Sequence, residues 1–376
     1  MTRRLVVPLG LIGAIAIIVI GGAFLADREG APKLLAIIYD LIGSHDRADE
    51  LRQGIGDTTL AKLLLGGVAL LVGVGGVWLF YITASAFVGM MKPNRQARII
   101  PWVFVLPAVA LLVVFLVYPT VATIITSLTV DGGFAANYGA MFSGPMIAVF
   151  RNNLIWLVVA TGGSVFLGLI IAGLFDRVRR EALAKTFVFL PLAISLVGAS
   201  VIWRFVYVWR PPSQPQYGLL NAVWTGVGFD PINWIATPPI NTYLLILIMI
   251  WLQTGFAMVV LSAAIKGVSI EVIEAARLDG ASERQLFFRV IVPIIKGSII
   301  TVATTIAIAV LKIFDIVYVT TQGRYDTDVV ANRMFLEMFV FFRDGRAAAL
   351  AVVLFIAVLP VMFLNLRNLR TQGIGQ

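Results

Sequence analysis

Long apolar runs without charge constrain this chain more than any other feature of its sequence. Residues 104–129, FVLPAVALLVVFLVYPTVATIITSLT, contain no charged side chain. A run of about 20 such residues is long enough to cross the hydrocarbon core of a bilayer as a helix. Across all 376 residues, 60% are hydrophobic and 13% are charged, whereas soluble domains carry roughly 25% charged residues. The sequence therefore predicts an all-α polytopic membrane protein.

The apolar runs predict eight transmembrane helices. They lie at 5–26, 60–90, 102–128, 148–175, 184–208, 241–265, 298–321 and 347–366. The first has the basic start of a signal peptide, but its apolar run exceeds the usual length of about 7–15 residues, so we expect a retained helix.

The charges of the connecting loops predict how these helices are oriented. Lys and Arg are enriched in loops on the cytoplasmic side of a membrane. Loop 91–101 carries three bases (Lys92, Arg95 and Arg98) and no acid, whereas loop 27–59 has four bases and seven acids. The alternation continues along the chain. It predicts that both termini and the segment 266–297 are cytoplasmic, and it explains the net charge of +9 without nucleic acid.

Several classes of enzyme are excluded by missing motifs. The chain has no cysteine, so it can form neither disulfides nor thiolate metal sites. Its one histidine, His45, lies in a polar loop and is expected to be solvated. The sequence contains no G-x-x-x-x-G-K-[ST], HExxH or G-x-S-x-G motif. We therefore expect no catalytic residue, metal site or cofactor site, and no ATPase activity of its own.

Segment 266–297 interrupts the apolar pattern with seven charged side chains between 274 and 296. Its pattern predicts two short helices joined by a turn. Ser269 is expected to cap the first, Asp279 and Gly280 to form the turn, and Pro293 to kink the chain. Residues 281–291 predict an amphipathic helix with a polar stripe (Ser282, Gln285, Arg289) and an apolar one (Leu286, Phe287, Val290, Ile294).

Two interpretations of this segment follow from its physical chemistry alone. An amphipathic hairpin can lie on lipid headgroups, where a polar face rich in Lys and Arg is favoured. The polar face here mixes acidic and basic residues, which favours docking to a protein.

The same residues resemble the EAA motif of bacterial ABC importer permeases. That motif reads EAA, three residues, Gly, nine residues, then Ile-x-Leu-Pro. Residues 274–276, Gly280 and Pro293 have this spacing, and Val290 and Val292 replace the Ile and the Leu. The form EAAxxDGA, which residues 274–281 match, resembles the sugar-importer branch.

The resemblance implies that 266–297, the coupling segment, contains a helix that inserts into a cleft of a separate ATPase. The coupling residues would be Glu274, Ala275, Ala276, Asp279 and Gly280. It also implies a bacterial inner-membrane complex with a second homologous permease, two copies of the ATPase, which bind ATP and Mg, and an extracytoplasmic sugar-binding protein. The other expected partner is membrane lipid, and no nucleic acid is expected.

The resemblance extends from about residue 100 to the end of the chain. It implies a type I ABC importer core of six helices in residues 101–376 and an N-terminal extension of two helices in 1–100, as in the larger subunit of maltose-type permease pairs. The phrases FVFLPLAISLVGASVIWRFVY and DVVANRMF look most like the α-glucoside permeases. The implied substrates are α-glucoside di- or oligosaccharides such as maltose or trehalose.

Polar and aromatic residues within the spans are candidates for the substrate pathway, since a polar group in lipid is costly unless it faces a cavity or a partner. Trp203, Tyr207, Trp251 and Gln253 suit a sugar, whose C–H patches stack on aromatic faces and whose hydroxyls bind amides. The alternative is that the aromatic residues are ordinary interface anchors.

Other residues carry weaker expectations. Lys312 and Asp315 have the spacing of an ion pair within one helix, and Pro191 and Gly255 are expected to interrupt their helices. The proline-rich stretch 209–240 is expected to form an ordered cap that can receive the binding protein.

Two other functions remain open at this stage. An importer of another polyol or of a glycerol-linked substrate would have the same architecture. An ion-coupled secondary transporter would show inverted repeats and buried acids, of which only Asp315 is a hint.

Overall fold

The computed structural model of the protein describes residues 70–175 and 180–373, together with the isolated positions 46, 66 and 67. This part of the chain is helical and contains no strand. The chain divides into two compact units, Met1–Thr120 and Val121–Gln376. The first predicted span, His45, and residues 60–65, 68 and 69 of the second span lie outside the described residues.

The described part of the first unit contains two helices, α1 (Gly76–Gly89) and α2 (Pro93–Leu112), each adjoined by a short π-helical turn (Leu71–Gly75 before α1, Val113–Val117 after α2). Pro93 occupies the first turn of α2, where its missing N–H is not needed. The Tyr81 hydroxyl donates to the Phe104 carbonyl at 3.3 Å, and the two rings lie 4.6 Å apart.

The longer helices continue in chain order from the end of α2. They are α3 (Tyr118–Thr129), α4 (Gly133–Gly139), α5 (Gly144–Phe175), α6 (Glu181–Phe189), α7 (Leu196–Val206), α8 (Leu219–Gly226), α9 (Ile240–Lys266), α10 (Ile270–Leu278), α11 (Lys296–Leu311), α12 (Asp315–Thr320), α13 (Val330–Phe339) and α14 (Asp344–Gly373). The segment between α10 and α11 is also helical (Glu283–Gln285, a π-helical turn Leu286–Ile291, and Val292–Ile294).

The all-α fold is confirmed, whereas the count of eight spans is not. Among the described residues, four helices are long and apolar enough to cross a membrane, and six spans result if two sharply bent pairs each count as one. The described part of the predicted span 60–90 holds only a shorter apolar helix, Gly73–Gly89.

Helices α5 and α9 form the centre of the second unit because glycines let them approach closely. A Cβ on Gly168 would lie 2.4 Å from the Cβ of Ala257 and 2.9 Å from the Met258 backbone nitrogen. A Cβ on Gly163 would lie 2.6 Å from the Cδ1 of Ile250. In lipid no hydrophobic driving force brings helices together, so close packing at small residues stabilises such crossings.

The predicted span 184–208 is not one straight helix. Helices α6 and α7 meet at a bend of 100°, directly after a 3₁₀ turn that contains Pro191. Gly255 does not interrupt α9, which is continuous, so that expectation was wrong. It instead admits the α6 backbone, since a Cβ there would lie 2.5 Å from the Val188 carbonyl oxygen.

The predicted span 298–321 is also broken. Helix α11 ends at Leu311 and α12 begins at Asp315. Because Lys312 and Asp315 lie on either side of this break, they are not one helical turn apart. Within the described residues they form no ion pair with each other, and the expected pair is corrected.

Asn153 on α5 stabilises this broken region from a distant part of the chain. Its side-chain amide donates to the Leu311 carbonyl at 3.4 Å, and its oxygen accepts the Val330 N–H at 3.1 Å. It thereby provides hydrogen-bond partners for the last carbonyl of α11 and the first N–H of α13, both of which lack partners within their helices. The neighbouring Asn152 donates to the carbonyls of Asp326 and Asp328 at 2.7 and 3.0 Å.

Asp328 in this loop is expected to make stability depend on pH. Its Oδ1 accepts from the Val329 N–H and the Asn332 amide at 2.9 and 2.6 Å. Burial raises the pKa of the Asp328 carboxyl, against the lowering effects of Asn332 and Arg333. Because the folded pKa exceeds the unfolded one, this contribution to stability is complete below about pH 3.9 and is lost as the pH rises through the folded pKa.

The substitution Asp328→Asn removes that dependence, since an amide oxygen still accepts both hydrogen bonds and carries no charge. We expect a higher melting temperature than the wild type at neutral pH and a smaller difference in acid. Thermal unfolding of both proteins in detergent across a pH series measures this. A variant that is less stable at neutral pH would contradict it.

Candidate coupling surface and transport pathway

Helix α10 ends in a turn that requires glycine at residue 280. The Gly280 N–H donates to the Arg277 carbonyl and the Ala281 N–H to the Ala276 carbonyl, both at 3.0 Å, which is the Schellman arrangement. Gly280 has a φ of +81°, which glycine adopts without steric cost. The predicted turn is confirmed. No atom approaches within 4 Å of the position a Cβ would take, so this corner faces open space.

Ser269 occupies the capping position of α10, as predicted, but its side chain accepts no backbone N–H. The backbone N–H of Glu271 and the Ser269 hydroxyl together lower the pKa of Glu271. This keeps a negative charge in the first turn of α10, where the helix dipole favours one.

The second half of the coupling segment has the predicted polar stripe and a shifted apolar one. Ser282 and Gln285 form a reciprocal capping box, and residues 286–291 make a π-helical turn. Such a turn holds one residue more than an α-helical turn. The side chains that are buried after it are therefore shifted by one position along the sequence. Ile295 is buried at 4% exposure and Ile294 is 52% exposed; the expectation for Ile294 was wrong.

One face of helix α10 is exposed, and the other packs against the core of the second unit. Of the predicted coupling residues, Glu274, Ala275, Asp279 and Gly280 are exposed, and Ala276 is half-buried against the core. Leu278 is 88% exposed. Exposure of a large apolar side chain to water is unfavourable and can indicate a contact surface. Sequence reasoning missed Leu278, and its place in the motif between Glu274 and Asp279 was the available signal.

Phe287 connects the coupling segment to α5. A Cβ on Gly173 would lie 2.5 Å from the Cε2 of Phe287, so the ring packs directly on the helix backbone. Leu286 and Ile291 on either side are buried, and the Arg277 guanidinium and Glu283 carboxylate pair at 3.2 Å across the turn. A force applied to α10 therefore reaches α5 through packed atoms.

Three of the four predicted pathway residues come together. The Trp203 ring lies 5.3 Å from that of Tyr207 and 5.7 Å from that of Trp251. Tyr207 is buried, and its hydroxyl donates to the Leu244 carbonyl at 3.0 Å. Gln253 is half-buried and lies two residues after Trp251, a separation at which helical side chains do not face the same way.

Helix α9 links these two regions in one rigid element. Trp251 lies near its middle, and its last residue, Lys266, begins the coupling segment. The two residues are 15 positions apart, which is about 22 Å along the helix axis. The Glu181 carboxylate pairs with both Lys266 and Lys185, which ties the end of α9 to α6.

Comparison with known proteins identifies the family. The family model described as "Binding-protein-dependent transport system inner membrane component" matches residues 164–369, more than half of the chain. The protein belongs to this family. It is therefore a multi-pass permease subunit of an ABC importer in the inner membrane, as the EAA motif led us to expect.

Two relatives in this family are especially similar. The chain is 50% identical over 275 residues to the osmoprotective compounds uptake permease GgtC of Synechocystis sp., covering 72% of this chain and 98% of the relative. It is 47% identical over 281 residues to the alpha-glucoside transport system permease AglF of Rhizobium meliloti, covering 73% of this chain and 84% of the relative.

The fold of the permease matches that of a solved transporter. A chain of a bacterial ABC transporter involved in the import of the acidic polysaccharide alginate aligns with a TM-score of 0.63 at 22% identity. The alignment covers 74% of this permease and 97% of that chain. At this identity the match shows a shared fold and nothing about the substrate.

Proposed function

We propose that this permease imports α-glucoside di- or oligosaccharides, such as maltose or trehalose, with energy from ATP hydrolysed by separate subunits. The similarity to the alpha-glucoside permease, 47% over 281 residues, carries the choice of substrate. The 50% identity to a permease for osmoprotective compounds favours one second candidate, a polyol or glycerol-linked substrate.

In this proposal the complex contains a second homologous permease, two ATPase subunits that bind ATP and Mg, and an extracytoplasmic sugar-binding protein. A solved alginate transporter of the same fold is in complex with a periplasmic protein bound to an alginate pentasaccharide, which supports the last of these partners. The positive charge of alternate loops supports a cytoplasmic location for both termini and for the coupling segment in this proposal.

The coupling surface consists of the outward residues of α10 and its turn, namely Glu274, Ala275, Leu278, Asp279 and Gly280. An exposed leucine among small residues suits insertion into a cleft of the ATPase. Ala276 faces the core of the second unit, and its small side chain allows α10 to pack closely against it. Motion of the ATPase then passes to α5 through Phe287 and to the pathway through α9.

Uptake of labelled substrates tests this function directly. The permease is reconstituted with its ATPase, second permease and binding protein, and offered maltose, trehalose and a glycerol-linked glucoside. We expect uptake that requires ATP and the ATPase and that is greatest for one of the two disaccharides. Uptake that an ion gradient drives without the ATPase would overturn the proposal, and exclusive uptake of the glycerol-linked compound would favour the second candidate.

The pathway residues have their own test. In the proposal Trp251 and Trp203 stack on the sugar, whereas Gln253 faces another side of α9 and takes no part in that contact. Trp251→Ala is expected to lower sugar uptake roughly tenfold or more, since loss of one stacked aromatic costs about 1.5 kcal/mol. Tyr207→Phe is the comparison, because the buried Tyr207 hydroxyl contacts the Leu244 carbonyl and should affect stability more than uptake. Normal uptake by a stable Trp251→Ala protein would remove Trp251 from the pathway.

A further inference from the structure

Helix α8 exposes a stripe of apolar residues, whereas its polar residues face inward together with Leu220 and Trp224. The residues on its outer face are spaced as one helical stripe and are all apolar: Leu219, Ala222, Val223, Gly226 and, just after the helix, Val227. Leu219, Val223 and Val227 are 63%, 60% and 72% exposed. A helix that faces water carries its polar residues on this side.

The buried Asn221 holds α8 to the protein. Asn221 is fully buried and receives hydrogen bonds from the Ile232 N–H at 3.1 Å and from the Trp234 indole at 2.9 Å. Its amide donates to the Ile232 carbonyl at 2.9 Å. The Thr225 hydroxyl donates to the Asn221 carbonyl at 2.8 Å. Because these hydrogen bonds prevent α8 from rotating about its axis, the same residues always form its outward face.

Two contacts keep α8 at the end of a membrane span. The Asn221 amide also donates to the Val208 carbonyl at 3.1 Å, two residues after α7 ends at Val206. A Cβ on Gly218 would lie 2.2 Å from that same carbonyl oxygen, so the start of α8 lies directly against it. Since α7 belongs to a candidate span, α8 lies next to the end of that span.

We propose that α8 lies in the interface of the bilayer and that lipid covers its outward face. An apolar helix face with aromatic neighbours is the composition of an interfacial segment. Tyr217 and Phe229 flank the helix and are 58% and 53% exposed. The ring of Phe229 stacks on Trp224 at 4.4 Å, and the Arg210 guanidinium lies 4.2 Å from the centre of the Tyr217 ring.

The chemistry of this surface favours lipid over a soluble binding protein. Asp230 is the one charged residue between 211 and 239, so the surface offers little charge to steer a partner that must dock and leave in every cycle. The contacts with Val208 also keep α8 from extending away from the membrane. The cap expected for 209–240 is ordered, and its exposed helix has the chemistry of a membrane contact.

The absence of cysteine makes a direct test simple. A fluorescent label is attached to Val223→Cys and, as a matched control on the same cap, to Ser213→Cys. A label at Ala222→Cys repeats the test if Val223→Cys fails to fold. The full permease, assembled with cysteine-free partner subunits, is placed in phosphatidylcholine nanodiscs with or without brominated acyl chains.

We expect brominated lipid to quench the label at 223 and aqueous iodide to quench the label at 213, with blue-shifted emission at 223 alone. Iodide quenching at 223 equal to that at 213 would overturn the proposal, because water would then cover α8. Protection of 223 only when the binding protein is added would assign the face to that protein. A label at 223 that neither quencher reaches in the complex would assign it to the second permease. Either result would also overturn the proposal, and neither bears on which sugar is carried.

Discussion

Glu274→Lys is expected to abolish ATP-driven uptake while the permease still inserts into the membrane. Glu274 is exposed on the outward face of α10, between a half-buried Ile273 and an exposed Ala275, and within the described residues it makes no salt bridge. Its removal therefore leaves no buried charge unpaired in this chain. In the proposed complex the charge of Glu274 pairs with a basic group of the ATPase, so its reversal would place two like charges together.

Charge reversal at the centre of such an interface costs about 2 kcal/mol or more, which weakens association at least about 30-fold. We therefore expect uptake to fall to background and co-purification of the ATPase to fall by a similar factor. Asp230→Lys is the matched control, since it makes the same charge change at an exposed position outside the coupling segment. Uptake by Glu274→Lys equal to that of the control would contradict the coupling role.

Gly280→Arg provides an independent test of the same surface. Any side chain at residue 280 must adopt a φ of +81°, which costs about 1–2 kcal/mol. The arginine would also fill the open corner that the ATPase is proposed to approach. Gly280→Ala introduces the backbone strain without the bulk, so a loss of uptake with arginine and not with alanine would separate docking from folding.

Gly168→Leu is expected to prevent the second unit from folding. A Cβ at residue 168 would lie 2.4 Å from the Cβ of Ala257 and 2.9 Å from a backbone nitrogen of α9. Backbone atoms cannot move aside as a flexible side chain can, so α5 and α9 would have to separate. Overpacking of a core costs typically 1–3 kcal/mol, and a separation along the central helix pair should exceed that range.

Gly162→Leu on the same helix is the control, because nothing lies within 4 Å of the position its Cβ would take. Size-exclusion profiles and thermal melts in detergent compare the two variants. We expect aggregated or absent protein for Gly168→Leu and near-wild-type behaviour for Gly162→Leu. A folded Gly168→Leu protein with an unchanged melting temperature would show that the crossing of α5 and α9 is looser than the structure has it.

The coupling segment illustrates how much can be read from residue types alone. Its turn depends on one glycine with a positive φ, and its polar stripe depends on helical spacing, so local rules suffice for both. The register error at Ile294 has a different origin. The π-helical turn at 286–291 is set by how Leu286, Ile291 and Ile295 fit the core, which no local pattern reveals.

The packing of the membrane spans, by contrast, could not be predicted from residue types alone. A membrane helix is apolar on the side that faces lipid and on the side that faces its neighbours, so hydropathy does not tell the two apart. The role of Gly255 could not be read from α9 alone, because its reason is the backbone of Val188 in another helix. The adjacent Asn152 and Asn153 in an apolar run were a visible signal of a buried polar contact.

The sequence by itself determined that this protein is a helical membrane permease and that residues 274–293 carry an EAA-like motif, because the length of apolar runs and the spacing of a motif are local properties. Only the tertiary structure decided that Ala276 faces inward, that α8 is apolar outside, and that two spans are broken. Each of these depends on contacts between different elements of the fold, such as Asn153 with Leu311 and Asn221 with Val208. A residue's own neighbours in sequence carry no record of those contacts.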